Sequence, residues 1–303
     1  MVATAVVAWF VVRALVGQWR AVRGQPLEIH PSWALIVASA VVVLAAYAVL
    51  IEAWRRMLVA WNTSLAFWPA VRIMSVSRLG LYVPGRIWQM TMMATMAKQS
   101  GVKPAAAAGS SVLNTAVNIA MGFLVALTAG WRSFGQVSQG RTGVGVALLV
   151  VVLSAILLLP SALPIMLRWA RRITGRNLAE VILPHRAVYV AIVANIVAWL
   201  LYGAAFELFF RGMTGDAPGS YSDYVTAFAW PYLVGYLALV VPGGLGVREA
   251  ALAVALGELH LATPATATVV AVSSRLWLSV LELVPGLLFW IGAGRSRSRA
   301  PTT

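Results

Sequence analysis

Cysteine is absent from the 303-residue sequence, which excludes disulfides, thiolate metal sites and cysteine nucleophiles. The three histidines, His30, His185 and His260, stand apart from one another without metal-ligand spacing, so we predict no metal site and no cofactor. Neither a G-x-x-x-x-G-K-[ST] loop nor a complete G-x-G-x-x-G turn occurs, and no serine, histidine and acid have the spacing of a catalytic triad. We therefore expect a protein that is not an enzyme.

Charge is also scarce, because only 11% of the residues are charged against about 25% in soluble globular proteins. Hydrophobic residues make up 61% of the chain, and the mean hydropathy is +0.84. Windows without charge that are long enough to cross about 30 Å of hydrocarbon occur at 32–51, 104–131, 143–167 and 187–206. The pattern predicts an all-α polytopic membrane protein with about six to eight membrane segments.

The charge that is present is mainly positive, with 23 Lys and Arg against 9 Asp and Glu. These basic residues lie between the apolar segments rather than on one face, which favours membrane topology over nucleic-acid binding. We expect a multi-pass protein of the cell (plasma or inner) membrane with a cytoplasmic C-terminus. Residues 1–294 would form one transmembrane domain that starts with a short helix at 1–18, and 295–303 a disordered basic tail.

Two segments interrupt the apolar pattern. The first, 72–89, reads RIMSVSRLGLYVPGRIWQ and combines arginines with Gly80, Pro84 and Gly85. The second, 241–249, reads VPGGLGVRE and has the same character. Proline and glycine disfavour a regular helix, and irregular backbone persists at membrane depth only where protein or a water-filled cavity covers it.

Charge placement predicts how these segments meet the membrane. Arg55 and Lys98 share a side only if 64–97 is a re-entrant hairpin, and the basic tail is cytoplasmic only if 224–260 enters and leaves by the outer face. The two broken-helix hairpins would then form an inverted repeat, with one half at about 32–131 and the other at about 187–294. V-P-G followed by Pro-Ala and Ser-Ser-x-Leu recurs in both halves.

The candidate binding residues lie in or near these hairpins. Guanidinium groups match phosphate geometry, so Arg78, Arg86 and Arg248 are candidates for a phosphate site, although arginines can also serve as topology anchors. Arg275 and Glu282 are seven residues apart, which suits a structural salt bridge, a gate or a proton-binding carboxylate. Asn114 and Asn118 would line a cavity or bond between helices. The predicted substrate-binding set comprises Arg78, Tyr82, Pro84, Gly85, Arg86, Gln89, Asn114, Pro242, Gly243, Gly244, Gly246, Arg248, Glu249, Arg275 and Glu282.

The motifs LGLYVPGRIWQ, GVKPAAAAGSSVL and VPGGLGVREAAL, in this order, resemble the flippase-like family, also called the lysylphosphatidylglycerol synthase transmembrane region. The resemblance covers about residues 32–292, and IEAWRRML matches the family's preceding element only loosely. It implies a lipid translocase fold. In bifunctional relatives this region carries an aminoacylated phospholipid, and stand-alone members are associated with polyprenyl-phosphate sugar pathways and envelope assembly. Since no soluble acyltransferase-like domain follows, we do not expect lysyl-lipid synthesis.

Together these features predict a flippase or transporter that moves a phospholipid or a polyprenyl-phosphate-linked glycolipid between leaflets. Its partner would be a membrane lipid with an anionic or phosphate-bearing head group, without nucleic acid, and the sequence defines no oligomer. Two alternatives stay open: a membrane-embedded glycosyl or phosphoryl transferase, and a non-transporting scaffold subunit of an envelope-glycan complex.

Overall fold

The computed structural model describes residues 29–82, 87–130, 184–237 and 246–297. These residues form α1 (Trp33–Val59), α2 (Phe67–Arg78), a 3-10 turn (Leu79–Tyr82), α3 (Ile87–Gln99), α4 (Pro104–Ala129), α5 (His185–Thr214), α6 (Tyr221–Leu237), α7 (Val247–Glu258) and α8 (Pro264–Arg297). Four helices contain segments that are long and apolar enough to cross a membrane: Trp33–Val59, Gly109–Ala129, His185–Thr214 and Pro264–Ile291. The protein is therefore an all-α polytopic membrane protein, as the sequence predicts.

Helix boundaries follow local chemistry. Pro104 opens α4, where its missing N–H would be unpaired in any case. Gly215 ends α5 in the left-handed conformation, at φ +85°, and donates its N–H to Arg211 O. α1 continues past the predicted end at residue 51 to Val59, and α8 continues to Arg297, into the predicted tail, because arginine favours helix.

Helices α1 and α5 form an antiparallel pair at the centre of the fold. Ser32 N donates to Gly212 O at 2.7 Å, and the hydroxyl of the buried Ser39 donates to Ala205 O. Further along, the rings of Tyr47 and Tyr202 meet edge to face with their centroids 6.1 Å apart. The middle of each helix therefore lies beside the middle of the other.

The C-terminal end of α1 lies beside the N-terminal end of α4. Trp54, fully buried near the end of α1, donates its indole N–H to Ser110 Oγ in the first turns of α4 at 2.9 Å. The chain between them, which contains α2 and α3, thus leaves and returns at one end of the bundle. We call this the basic end, since Arg55 and Arg56 in the last turns of α1, Lys98 in the last turn of α3 and Lys103 just before α4 lie there.

Helices α6 and α7 likewise leave and return at one end of the bundle, which is the opposite end. We call α2–α3 the first excursion of the chain and α6–α7 the second excursion. A Cβ added at Gly219, just before α6, would lie 2.6 Å from Cδ2 of Leu261, which follows α7. The start of α1 and the end of α5 also lie at this end, because His30 N donates to Met213 O. The two excursions therefore begin and finish at opposite ends of the α1–α5 pair.

Several predicted segments lie outside the described residues. They are the first helix at 1–18, the apolar segment at 143–167, most of the basic loop at 168–186, the end of the tail and both V-P-G segments at 83–85 and 241–243. The described elements next to the segments at 83–85 and 241–243 are the 3-10 turn up to Tyr82, α3 from Ile87, α6 up to Leu237 and α7 from Val247. Helices α6 and α8 run through Pro231 and Pro285 without ending, so proline alone does not end a helix in this chain.

Candidate functional site

Arg78 reaches the interior because α2 ends within the bundle and the chain turns back. The 3-10 turn follows Arg78 directly, and a Cβ at Gly80 would lie 2.7 Å from the backbone nitrogen of Gln89 in α3. The absence of a side chain at Gly80 allows the two backbones to approach this closely. Arg72, on the same helix, is exposed.

The Arg78 guanidinium stacks on an aromatic ring in the middle of α1. Its central carbon lies 3.8 Å from the centroid of the Tyr47 ring. Tyr202, Glu282 and Tyr232 also lie within electrostatic range of this arginine. A cation on an aromatic face is stabilised by about 0.5–1 kcal/mol when exposed and by about 2 kcal/mol or more when desolvated, and Arg78 is half-buried.

Arg248 lies at the start of α7 and has a comparable environment. Its guanidinium carbon is 5.0 Å from the centroid of the Tyr232 ring and 5.3 Å from that of Phe228, both in α6. A Cβ at Gly235 would lie 2.9 Å from the Cβ of Arg248, so this glycine allows α6 and α7 to pack closely at the arginine.

The two arginines share neighbours. Glu282, in the middle of α8, and Tyr232 lie within electrostatic range of both Arg78 and Arg248. Helix α8 packs against both α2 and α7 and so places Glu282 between the two excursions. We call the residues Tyr47, Arg78, Tyr202, Tyr232, Arg248 and Glu282 the central cluster.

A second ion pair lies beside the central cluster. Arg275 Nε is 3.5 Å from Glu249 Oε1, and their side chains are 16% and 8% exposed. The other Glu249 oxygen accepts the Gly246 N–H at 2.6 Å and so caps α7. Gly246 has φ +81°, a conformation that favours glycine. The seven-residue spacing suits a salt bridge between Arg275 and Glu282 along α8, whereas in the structure Arg275 lies against Glu249 of the neighbouring helix.

Asn114 and Asn118 bond between helices. Asn118 Nδ2 donates to Asn195 Oδ1 at 2.9 Å, and Asn195 Nδ2 donates to Asn114 Oδ1 at 3.3 Å. The Trp199 indole N–H adds a bond to Asn118 O at 3.1 Å. Asn114 therefore bonds between α4 and α5, which is one of the two roles predicted from the sequence.

Of the predicted residues, Arg78, Arg248 and Glu282 belong to the central cluster. Glu249, Gly246 and Arg275 lie beside it, and the backbone of Gln89 lies against Gly80 in the 3-10 turn. The remaining predicted residues, Pro84, Gly85, Arg86, Pro242, Gly243 and Gly244, lie outside the described residues, as does the side chain of Tyr82. Sequence reasoning did not find the aromatic residues or the asparagine of α5: Tyr47, Tyr202, Phe228, Tyr232 and Asn195. The three tyrosines and Asn195 lie among apolar residues, where a hydrogen-bonding side chain is the available signal, and Phe228 gives no such signal.

These features define a polytopic helical membrane protein with a cationic and aromatic cluster inside its bundle. The chain matches the family model of the lysylphosphatidylglycerol synthase TM region over residues 1–286, and it belongs to that family. Searches against curated proteins and against solved structures return no match.

Proposed function

We propose that the protein moves a phosphate-bearing lipid between the two leaflets of the cell membrane and binds its head group at the central cluster. The observation that carries the proposal is that two arginines lie against aromatic rings within the bundle, Arg78 on Tyr47 and Arg248 on Tyr232. Tyr232 and Glu282 lie within electrostatic range of both arginines. One arginine comes from each excursion of the chain.

Charge balance supports an anionic ligand. Among the described residues of the central cluster and the neighbouring ion pair, three arginines face two glutamates, Glu249 and Glu282. An arginine at the centre of a spanning helix costs about 2.5–3.5 kcal/mol on insertion scales, so an excess guanidinium at this depth favours a partner. A phosphate group would supply the missing negative charge and accept forked hydrogen bonds from both arginines.

The arrangement of the helices supports a path from both leaflets. Helices α2 and α3 have 12 and 13 residues, about 18–20 Å each, which is less than the hydrocarbon thickness. We interpret α2–α3 and α6–α7 as re-entrant hairpins that enter from opposite faces, in an inverted arrangement. The positive-inside rule assigns the basic end, and the C-terminal end of α8 with it, to the cytoplasm.

A transporter accounts for the cluster better than the two alternatives do. A transferase would use acidic groups to activate a substrate, whereas Glu249 and Glu282 both face arginines. Among the described residues no three histidines or acids lie together as a metal site would require. A scaffold subunit, in turn, would have no use for arginines at the centre of its bundle.

Translocation in vesicles tests the proposal. Purified protein is reconstituted into phosphatidylcholine vesicles that contain a fluorescent phosphatidylglycerol or a fluorescent polyprenyl phosphate, and dithionite then reports how much label changes leaflet. We expect Arg78→Gln and Arg248→Gln each to slow translocation at least about tenfold. This corresponds to an increase of about 1.4 kcal/mol or more in the activation free energy of translocation.

The matched control is Arg72→Gln, which removes an exposed arginine from the same helix as Arg78. It should translocate both lipids at the wild-type rate. Wild-type rates in Arg78→Gln and Arg248→Gln, with folding confirmed by circular dichroism, would contradict the proposal.

A further inference from the structure

A continuous row of aromatic rings connects the two arginines of the central cluster. Arg78 stacks on Tyr47 of α1, and the Tyr47 ring meets the Tyr202 ring of α5 with their centroids 6.1 Å apart. The Tyr202 ring stacks in turn on Phe228 of α6, with their centroids 5.6 Å apart and their planes at 27°. The guanidinium carbon of Arg248 is 5.3 Å from the centroid of that Phe228 ring. Tyr202 therefore contacts a ring beneath each arginine.

The surrounding residues hold the Tyr202 ring in place. Trp199, one turn earlier on α5 and 2% exposed, meets Tyr202 edge to face at 6.2 Å. Its indole N–H donates to Asn118 O of α4, so the orientation of the indole is fixed. The same indole packs at 5.1 Å against Tyr232, the second ring beneath Arg248. The rings between the arginines therefore form one packed unit around the middle of α5.

A repeated sequence pattern places both tyrosines at the same position of their helices. In each helix a tyrosine is followed by a glutamate after five residues, an aromatic residue after seven and an arginine after nine. The members are Tyr47, Glu52, Trp54 and Arg56 in α1 and Tyr202, Glu207, Phe209 and Arg211 in α5. The two helices run antiparallel, and the two tyrosines meet near their middles. Equivalent positions of the repeat thus supply the ring beneath Arg78 and the ring beside it.

We propose that Tyr202 is a positioning residue, whose ring holds Arg78 and Arg248 at the separation that a lipid phosphate needs to contact both. The inference rests on the proposed function and adds the residue that fixes the spacing of the two arginines. The arginines belong to different excursions of the chain, so their spacing depends on what packs between them. Side chains that are already held in the binding geometry lose less conformational entropy when the ligand binds. The ring row therefore increases the affinity for the head group without touching it.

A ring that only filled space would behave differently. Its removal would lower the stability of the fold but would leave the affinity of each folded molecule unchanged. The matched control is Phe210 of α5, a fully buried ring that lies 5.3 Å from the ring of Tyr224. Phe210→Leu should therefore lower stability and keep the wild-type affinity.

Binding of soluble dioctanoyl phosphatidylglycerol to the purified protein in detergent, measured by calorimetry beside thermal denaturation, tests the inference. We expect Tyr202→Leu to bind this lipid about tenfold more weakly than the wild type does. Tyr202→Phe keeps the ring and should stay within about threefold of the wild-type affinity. Equal weakening in both variants would overturn the inference, since it would assign the effect to the hydroxyl group.

A double variant tests whether Tyr202 acts through the arginines. Tyr202→Leu with Arg78→Gln should lose less affinity than the two single losses combined, because the ring then has one arginine fewer to position. Strict additivity, or wild-type affinity in Tyr202→Leu, would overturn the inference. Slow translocation by Arg78→Gln and Arg248→Gln would still support the proposed function in that case. If Tyr202→Leu does not fold, Tyr202→Met takes its place, and the same two outcomes decide.

Discussion

The guanidinium carbon of Arg78 lies 3.8 Å from the centroid of the Tyr47 ring. This contact joins the end of the first excursion to the middle of α1. It gives a half-buried cation an aromatic face in place of part of its water, and the Tyr47 hydroxyl points from the same ring towards Glu282.

The ring and the hydroxyl of Tyr47 should contribute separately. Tyr47→Leu removes the aromatic face and should lower the free energy of unfolding by about 2 kcal/mol. Tyr47→Phe keeps the face and loses only a weak hydrogen bond, at a cost of about 1 kcal/mol or less. Thermal denaturation in detergent measures both, and equal losses would show that stacking contributes nothing.

Gly80 should not accept a side chain. A Cβ there would lie 2.7 Å from Gln89 N and 2.9 Å from Gln89 Cα, which are backbone atoms that cannot rotate away. We expect Gly80→Ala to lower stability by about 1–3 kcal/mol and to slow translocation, because the turn after Arg78 must open. The matched control is Gly257→Ala, since no atom lies within 4 Å of the added methyl group, and its stability should not fall. Similar stability of the two variants would contradict the close approach.

Asn195 should matter for stability rather than for transport. Its fully buried amide bonds to both Asn114 and Asn118, so Asn195→Leu leaves two polar groups of α4 without their partner. We expect a loss of about 1–3 kcal/mol in thermal denaturation, with a wild-type translocation rate for each folded molecule. A selective loss of translocation without destabilisation would return Asn114 to the head-group site.

Glu249 should stabilise the fold in two separable ways, through its ion pair with Arg275 and through the cap of α7. Glu249→Gln keeps a side-chain acceptor for the Gly246 N–H but removes the negative charge that faces Arg275, at a cost of about 3 kcal/mol. Glu249→Ala also removes the cap and should cost about 1 kcal/mol more. In the double variant Glu249→Gln with Arg275→Gln, part of the lost stability should return. Strict additivity in this cycle would mean that the two side chains do not interact.

The sequence determines the helices far better than it determines the site. Pro104, the first residue of the predicted apolar window at 104–131, opens α4, and uninterrupted apolar runs identify α1 and α5 without tertiary information. Arg78 and Arg248 are visible because arginine is rare at membrane depth. The ring partner of Arg78 is not visible, since Tyr47 lies in α1 and only the packing of α2 on α1 brings the two side chains together.

Glu282 illustrates the same limit. Its distance from Arg275 along one helix suggested a pair, because residues seven apart share a face. The structure turns Arg275 towards Glu249 instead, as α7 packs beside α8 and offers a nearer carboxylate. Helical periodicity assigns a residue to a face, but only the neighbouring helix decides its partner.

The central claim is that the two cationic excursions reach the central cluster from opposite faces of the membrane. The cysteine-free chain allows a direct measurement, in which single cysteines react with a membrane-impermeant maleimide from one side of oriented vesicles. The substitutions Ser64→Cys and Ser100→Cys lie before α2 and after α3, and Asp216→Cys and Glu258→Cys lie before α6 and at the end of α7, all at exposed positions. We expect the first two to react only from the cytoplasmic side and the last two only from the outer side. Reaction of Ser64→Cys and Ser100→Cys from opposite sides, or of all four from one side, would contradict the account.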